Sequence, residues 1–181
     1  ALLVLPSSDM AAAVASEWDA QVDLIDPMTM PVTRGANAAI DKVAIQKTEV
    51  IDMLAAYGDS DLLCYRAAGP EALIARQAGV WDPLLAWAKT RFDVVLTSAE
   101  GVMHVPQDAG SLTRLKAELE AMTEFQIAAA HDLISLSGSL VIALAVIDGH
   151  LTSEQGWAAS RVDEEWQFEQ WGEDDDARAL E

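Results

Sequence analysis

Residues Ile127–His150, IAAAHDLISLSGSLVIALAVIDGH, decide the fold class, because such a run is either a membrane span or the centre of a folded core. Its uncharged part extends only from Leu133 to Ile147 and contains Ser135, Ser137, Gly138 and Ser139. A spanning helix needs about 20 predominantly apolar residues. The stretch therefore reads as a buried central helix of a globular protein. Ser135, Gly138, Ser139 and Ile142 lie near one face, where small residues let a neighbouring helix approach closely. Asp148-Gly149 ends it.

Helix signals extend outward from this centre. After it, Thr152 and Gln155 form a capping-box pattern for a last helix from about Ser153 to Trp171, which Gly172 stops. Before it, Ser111 begins SLTRLKAELEAMTEF. Pro70 opens PEALIARQAGV at its first position, and Asp82 with Pro83 opens a separate helix, WDPLLAWAKTRF. A further helical pattern runs from about Thr33 to Tyr57, with Ile40, Val43 or Ala44, Ile51 and Leu54 or Ala55 at helical spacing. Ser7 or Ser8 caps DMAAAVASEWDAQV, which places Val14, Trp18 and Gln21 on one face. Pro27 and Pro31 separate these two helices. Strand candidates are few. ALLVLPSS reads as a short strand at which the chain opens, so material upstream is expected. LLCYRA (Leu62–Ala67) is a strand or a buried extended segment, and DVVLTSAEGVMHVPQ from Asp93 holds one or two short strands. The expected fold is mainly α, a compact helical domain with a few short strands.

Composition narrows the function. Hydrophobic residues make up 51% of 181 residues and the mean hydropathy is +0.14, which excludes global disorder. Eleven basic residues stand against 30 acidic ones, a formal net charge of −19. That field repels phosphate backbones and anionic headgroups, so neither nucleic acid nor membrane is an expected partner. A basic or apolar protein surface is. Cys64 is the single cysteine, so no internal disulfide forms and a reducing compartment fits.

Chemistry is sparse. His104, His131 and His150 lack metal-ligand spacing, and no phosphate loop, nucleophile elbow or CxxC occurs. No metal or cofactor is expected. His131-Asp132 is the one candidate acid–base pair, and it carries the alternative reading of a hydrolase; a histidine satisfied at a helix end is the commoner reason for such a pair. The last helix says more. At about 100° per residue, Ala158, Ala159, Val162 and Trp166 form one ridge, and Trp157, Phe168 and Trp171 another. Arg161, Glu165 and Glu169 fill the valley between, with Arg161 placed to pair with Glu165. Ser160, Asp163 and Gln167 face away. Aromatic anchors beside carboxylates suit a protein interface.

SEWDAQ (from Ser16), LLCYRAAGPEALIARQAGVWDPLLAWA (from Leu62) and SRVDEEWQFEQWG (from Ser160) resemble the family of assembly chaperones of the ATP synthase alpha subunit. The likeness extends from about Leu3 to Gly172, and relatives occur in mitochondria and alpha-proteobacteria. It implies a non-enzyme that transiently holds the unassembled alpha subunit of the F-type ATP synthase until beta arrives. Family members join a small N-terminal β-rich domain to a larger helical one. Residues 1–8 are then a remnant of the first domain, 9–172 the helical chaperone domain and 173–181 an acidic tail, with most of the β-rich domain lacking. Asp163 or its acidic neighbours, Gln167, Trp171 and Gly172 match the family's C-terminal signature. Together with the valley and ridges of the last helix, the expected partner-binding residues are Arg161, Asp163, Glu164, Glu165, Gln167, Phe168, Glu169 and Trp171, although Trp171 also reads as closing its helix. The sequence departs from relatives at Gly35, where a bulkier residue is usual. A monomer in a bacterial cytoplasm is expected, or in the mitochondrial matrix for a eukaryotic source. A structural adaptor of the finished synthase is the remaining alternative, and it predicts stoichiometric co-purification with that enzyme.

Overall fold

In the computed structural model, which describes residues 3–172, residues 3–7 carry no strand pairing and the first element is α1 (Ser8–Asp19). The Ser7 hydroxyl caps it by accepting the Met10 amide at 3.1 Å. The start of α2 (Pro31–Ala38) is held by Glu17, whose carboxylate accepts the Val32 and Thr33 amides, both at 2.7 Å, and the Thr33 hydroxyl at 2.6 Å. A π-turn, Ala39–Val43, and a break at Gln46 separate α2 from α3 (Lys47–Ala55). After a 3-10 turn at Leu62–Cys64 come β1 (Tyr65–Arg66), α4 (Glu71–Phe92) and β2 (Ala99–Glu100). The two strands pair in parallel, Tyr65 opposite Ala99. Then follow α5 (Ala109–Glu120), α6 (Glu124–Ser137), α7 (Leu140–Ile147), α8 (Ser153–Ser160) and α9 (Val162–Trp171).

α7 is the hub. Leu140, Val141, Ile142, Ala143, Leu144 and Ala145 are all buried, an all-round apolar pattern that only a helix enclosed by others can carry. α4, α6 and α8 pack on it, contributing Trp81 and Leu84, Ile127 and Ile134, and Ala159 to one core. Each large side chain removed from water there contributes about 1.5–3 kcal/mol. Buried Asp61 fixes the start of α7: its carboxylate accepts the Ser139 hydroxyl at 2.7 Å and the Val141 and Leu63 amides, both at 3.0 Å. Burial pushes its carboxyl up to about 6 against the pull of those donors. Gly156 lets α8 close on α7, since a Cβ there would stand 2.7 Å from Val146 Cγ2. Cys64 is buried beside this core, its thiol pushed up to about 12 by burial and by the charge of Asp61.

Three helices expected as continuous are interrupted, and two expected as separate are joined. The Ile127–His150 stretch is α6 and α7, because Gly138 takes a left-handed φ of 68° and Ser139 caps a new helix by accepting the Ile142 amide. The Thr33–Tyr57 helix breaks at the π-turn, which shifts the register so that Ala39 and Val43 are buried and Ile40 is 37% exposed. The last helix breaks at Arg161 (φ −105°, ψ 14°), where the Ser160 hydroxyl bonds back to the Trp157 carbonyl at 2.8 Å. Conversely, Pro83 lies inside α4 rather than starting a helix. Trp81 and Leu84, on either side of it, are both buried in the core, and Gly79, whose carbonyl loses its donor, is exposed. Burial outweighs the local cost. Gly35 has open space where a side chain would stand, so a bulkier residue would be accommodated there.

Candidate functional site

The candidate site is α9 and the surface it presents, and α4 positions it. Three contacts dock the C-terminal helices on α4. Trp81 Nε1 donates to the Ala159 carbonyl at 2.8 Å inside the core. Gln77, itself 1% exposed, accepts the Ala67 amide at 2.8 Å and donates to Asp163 Oδ1 at 2.6 Å. Arg76 grips Glu169 with both Nη atoms, at 2.9 and 2.7 Å, and its guanidinium carbon lies 5.1 Å from the centre of the Trp166 ring. That fork-to-fork bond holds Glu169 below the usual carboxylate range and raises Arg76.

These contacts sort the expected partner-binding residues into two groups. Asp163 and Glu169 turn toward α4; Asp163 does not face away as helical projection suggested, and Ser160 is likewise buried. The break at Arg161 rotates α9 relative to the projected helix, which is why the projection fails there. The solvent side carries Arg161, Glu164, Gln167, Phe168 and Trp171, joined by Trp157 of α8. Trp171 is 80% exposed, Trp157 49% and Phe168 36%. The Arg161 guanidinium lies 5.1 Å over Trp157, and its Nη1 stands 3.7 Å from Glu164, rather than pairing with Glu165. Glu165 instead stands on the rim of a groove between α4, α8 and α9.

Arg76 and Gln77 were not legible as site residues, because their partners lie far along the chain. One signal for them existed. They sit in the block beginning at Leu62, and that block packs against the block beginning at Ser160.

The arrangement is that of an exposed surface with the three histidines elsewhere on the chain. His131 Nδ1 lies 3.0 Å from Asp132 Oδ1, but both side chains are largely exposed and neither lines the groove. His104 bridges Asp59 at 3.2 Å and the Tyr65 hydroxyl at 3.4 Å, and His150 stacks on Trp87. Among the described residues, no cluster of His, Cys, Asp or Glu could hold a metal ion, and no helix is long and apolar enough to cross a membrane.

The chain is similar to several known proteins. The family model for the ATP12 chaperone protein matches residues 1–89. Two solved structures of Atp12 from Paracoccus denitrificans, one a point variant, superpose with a TM-score of 0.93 and 48% identity, covering 98% of this chain and 76% of theirs. A solved structure from Agrobacterium tumefaciens matches at 42% identity and TM-score 0.93, over 98% of this chain and 67% of that one. The protein atp12, mitochondrial, of Schizosaccharomyces pombe is 23% identical across 94% of this chain, which spans 62% of that relative's length.

Proposed function

The chain belongs to the ATP12 chaperone family, and from that premise we propose that it is an assembly chaperone of the F-type ATP synthase. It binds the unassembled alpha subunit transiently, as a monomer, and yields it when beta arrives. The observation that carries this reading is the solvent side of α9, where Trp157, Phe168 and Trp171 stand exposed beside Arg161 and Glu164. Large aromatics left in water on a helix with fixed backing are the usual anchors of a protein interface. The backing is the Gln77–Asp163 and Arg76–Glu169 contacts, which hold α9 on α4 without using the outer face.

The electrostatics suit a client that must leave again. A net charge of −19 steers a basic region toward the surface quickly, and salt weakens that steering. Rim carboxylates set encounter and orientation while the aromatics supply the burial. The test is a variant carrying Glu164→Lys, Phe168→Ala and Trp171→Ala, which leaves Asp163 and Glu169 docked. It should melt like the parent protein yet fail to keep isolated alpha subunit from aggregating. Suppression equal to the parent's would remove this face from the mechanism.

A further inference from the structure

The groove between α4, α8 and α9 has a volume of about 520 Å³, within the range of pockets that hold a ligand group. Its floor is apolar: Val80 and Leu84 from α4, Leu151 from the turn before α8, Ala158 from α8 and Val162 from α9. Its rim carries Arg76, Glu165 and Glu169. The single guanidinium is committed to Glu169 through two hydrogen bonds. Glu165 feels the charge of Arg76, but among the described residues its side chain makes no hydrogen bond and no ion pair. The rim is therefore one cation short, on a chain that already carries −19.

We propose that this groove is a second client contact that takes a leucine-sized apolar side chain from a segment whose neighbouring residue is lysine or arginine. The apolar group covers Leu84, Leu151 and Val162, and the cation bonds Glu165. This rests on the chaperone reading and adds a specificity to it. An acidic segment with the same apolar anchor is rejected, because its carboxylate would meet the like charges of Glu165 and Glu169 on the rim. The groove is separate from the aromatic outer face, so a client helix or strand crossing the end of α9 engages both.

The probe is a fluorescein-labelled peptide with leucine and lysine repeated at helical spacing, and a counterpart with each lysine replaced by glutamate. Binding is titrated at an ionic strength of about 0.15 M and above, where long-range attraction to the acidic chain is screened. The lysine peptide should bind the intact chain at least tenfold more tightly than the glutamate peptide and shift the amide resonances of Ala158 and Val162. Ala158→Phe, which fills the groove, and Glu165→Lys should each weaken it tenfold or more while the melting temperature is retained. Equal binding of the two peptides, or binding unchanged in both variants, overturns the proposal. So does no binding at all. In that case, continued suppression of alpha-subunit aggregation by the unsubstituted chain leaves the chaperone reading standing, whereas loss of suppression is the separate failure of that reading.

Discussion

Gln77 and Asp163, separated by 86 positions, meet at 2.6 Å, with the glutamine amide donating to the carboxylate. Gln77 is buried and its other amide atom is already used by the Ala67 amide, so its Nε2 has one partner and little access to water. Replacing Asp163 by Ala or Lys orphans that donor. A hydrogen bond to a charged group contributes about 1.5–3 kcal/mol. Asp163→Lys should lose about that much in urea unfolding and speed amide exchange through α9 first. Asp163→Asn keeps an acceptor oxygen and should recover most of the loss.

Gly156 tests the α7–α8 contact. Alanine gains about 0.8–1 kcal/mol of helix propensity over glycine. The added methyl would stand 2.7 Å from Val146 Cγ2, on a β-branched side chain with little freedom to turn away. Overpacking of this kind costs about 1–3 kcal/mol. Gly156→Ala should therefore lower the melting temperature, against the direction that propensity alone predicts.

Asp61 gives the stability a pH signature. Its folded-state carboxyl titrates near 6, above the ordinary value of 3.8, so the folded state binds the proton more tightly than the unfolded one. Stability from this group is fully present below about 4 and is lost as pH rises through 6. Asp61→Asn removes the titration but turns an amide N–H toward one of the donors that the carboxylate accepts, costing about 1–3 kcal/mol. The stability difference between parent and variant should be larger at pH 5 than at pH 7.5, measured by urea unfolding at each. A difference constant with pH would refute the buried titration.

Pro83 predicts a gain. Within α4 it removes one helical hydrogen bond and crowds the carbonyl of Gly79. It is itself exposed, so no packing is lost when it is replaced. Pro83→Ala should stabilise the protein by about 1–3 kcal/mol, read as a raised denaturant midpoint with an unchanged slope.

How much of this was legible in the sequence depended on how far apart the deciding residues lie. The capping box of Thr152 and Gln155 forms as its pattern predicts, because both partners lie within one turn. Ser7 and Gly172 act as start and stop for the same reason. Gly138-Ser139 failed as a reading: small residues serve equally as a packing stripe or as a stop and a cap. What decided for the break was Asp61, distant in the chain, which binds Ser139 and Val141 together. Pro83 failed the other way, since local chemistry favoured a new helix and the shared core of Trp81 and Leu84 kept one. At the site, the acids and aromatics of α9 were visible as a set, but their division was not. Arg76 and Gln77 draw Glu169 and Asp163 inward across 93 and 86 positions, a distance that no local pattern spans. The expected tail, 173–181, lies outside the described residues.

The burial of Cys64 makes the chain a silent background for thiol chemistry. A sulfur held near 12 and closed off from solvent forms almost no thiolate at neutral pH, so alkylating and maleimide reagents pass it by. A cysteine introduced at Gln167 or Trp171 would then be the one reactive position. A fluorophore or spin label placed there reports directly on whether a client covers the end of α9, and on how quickly it departs.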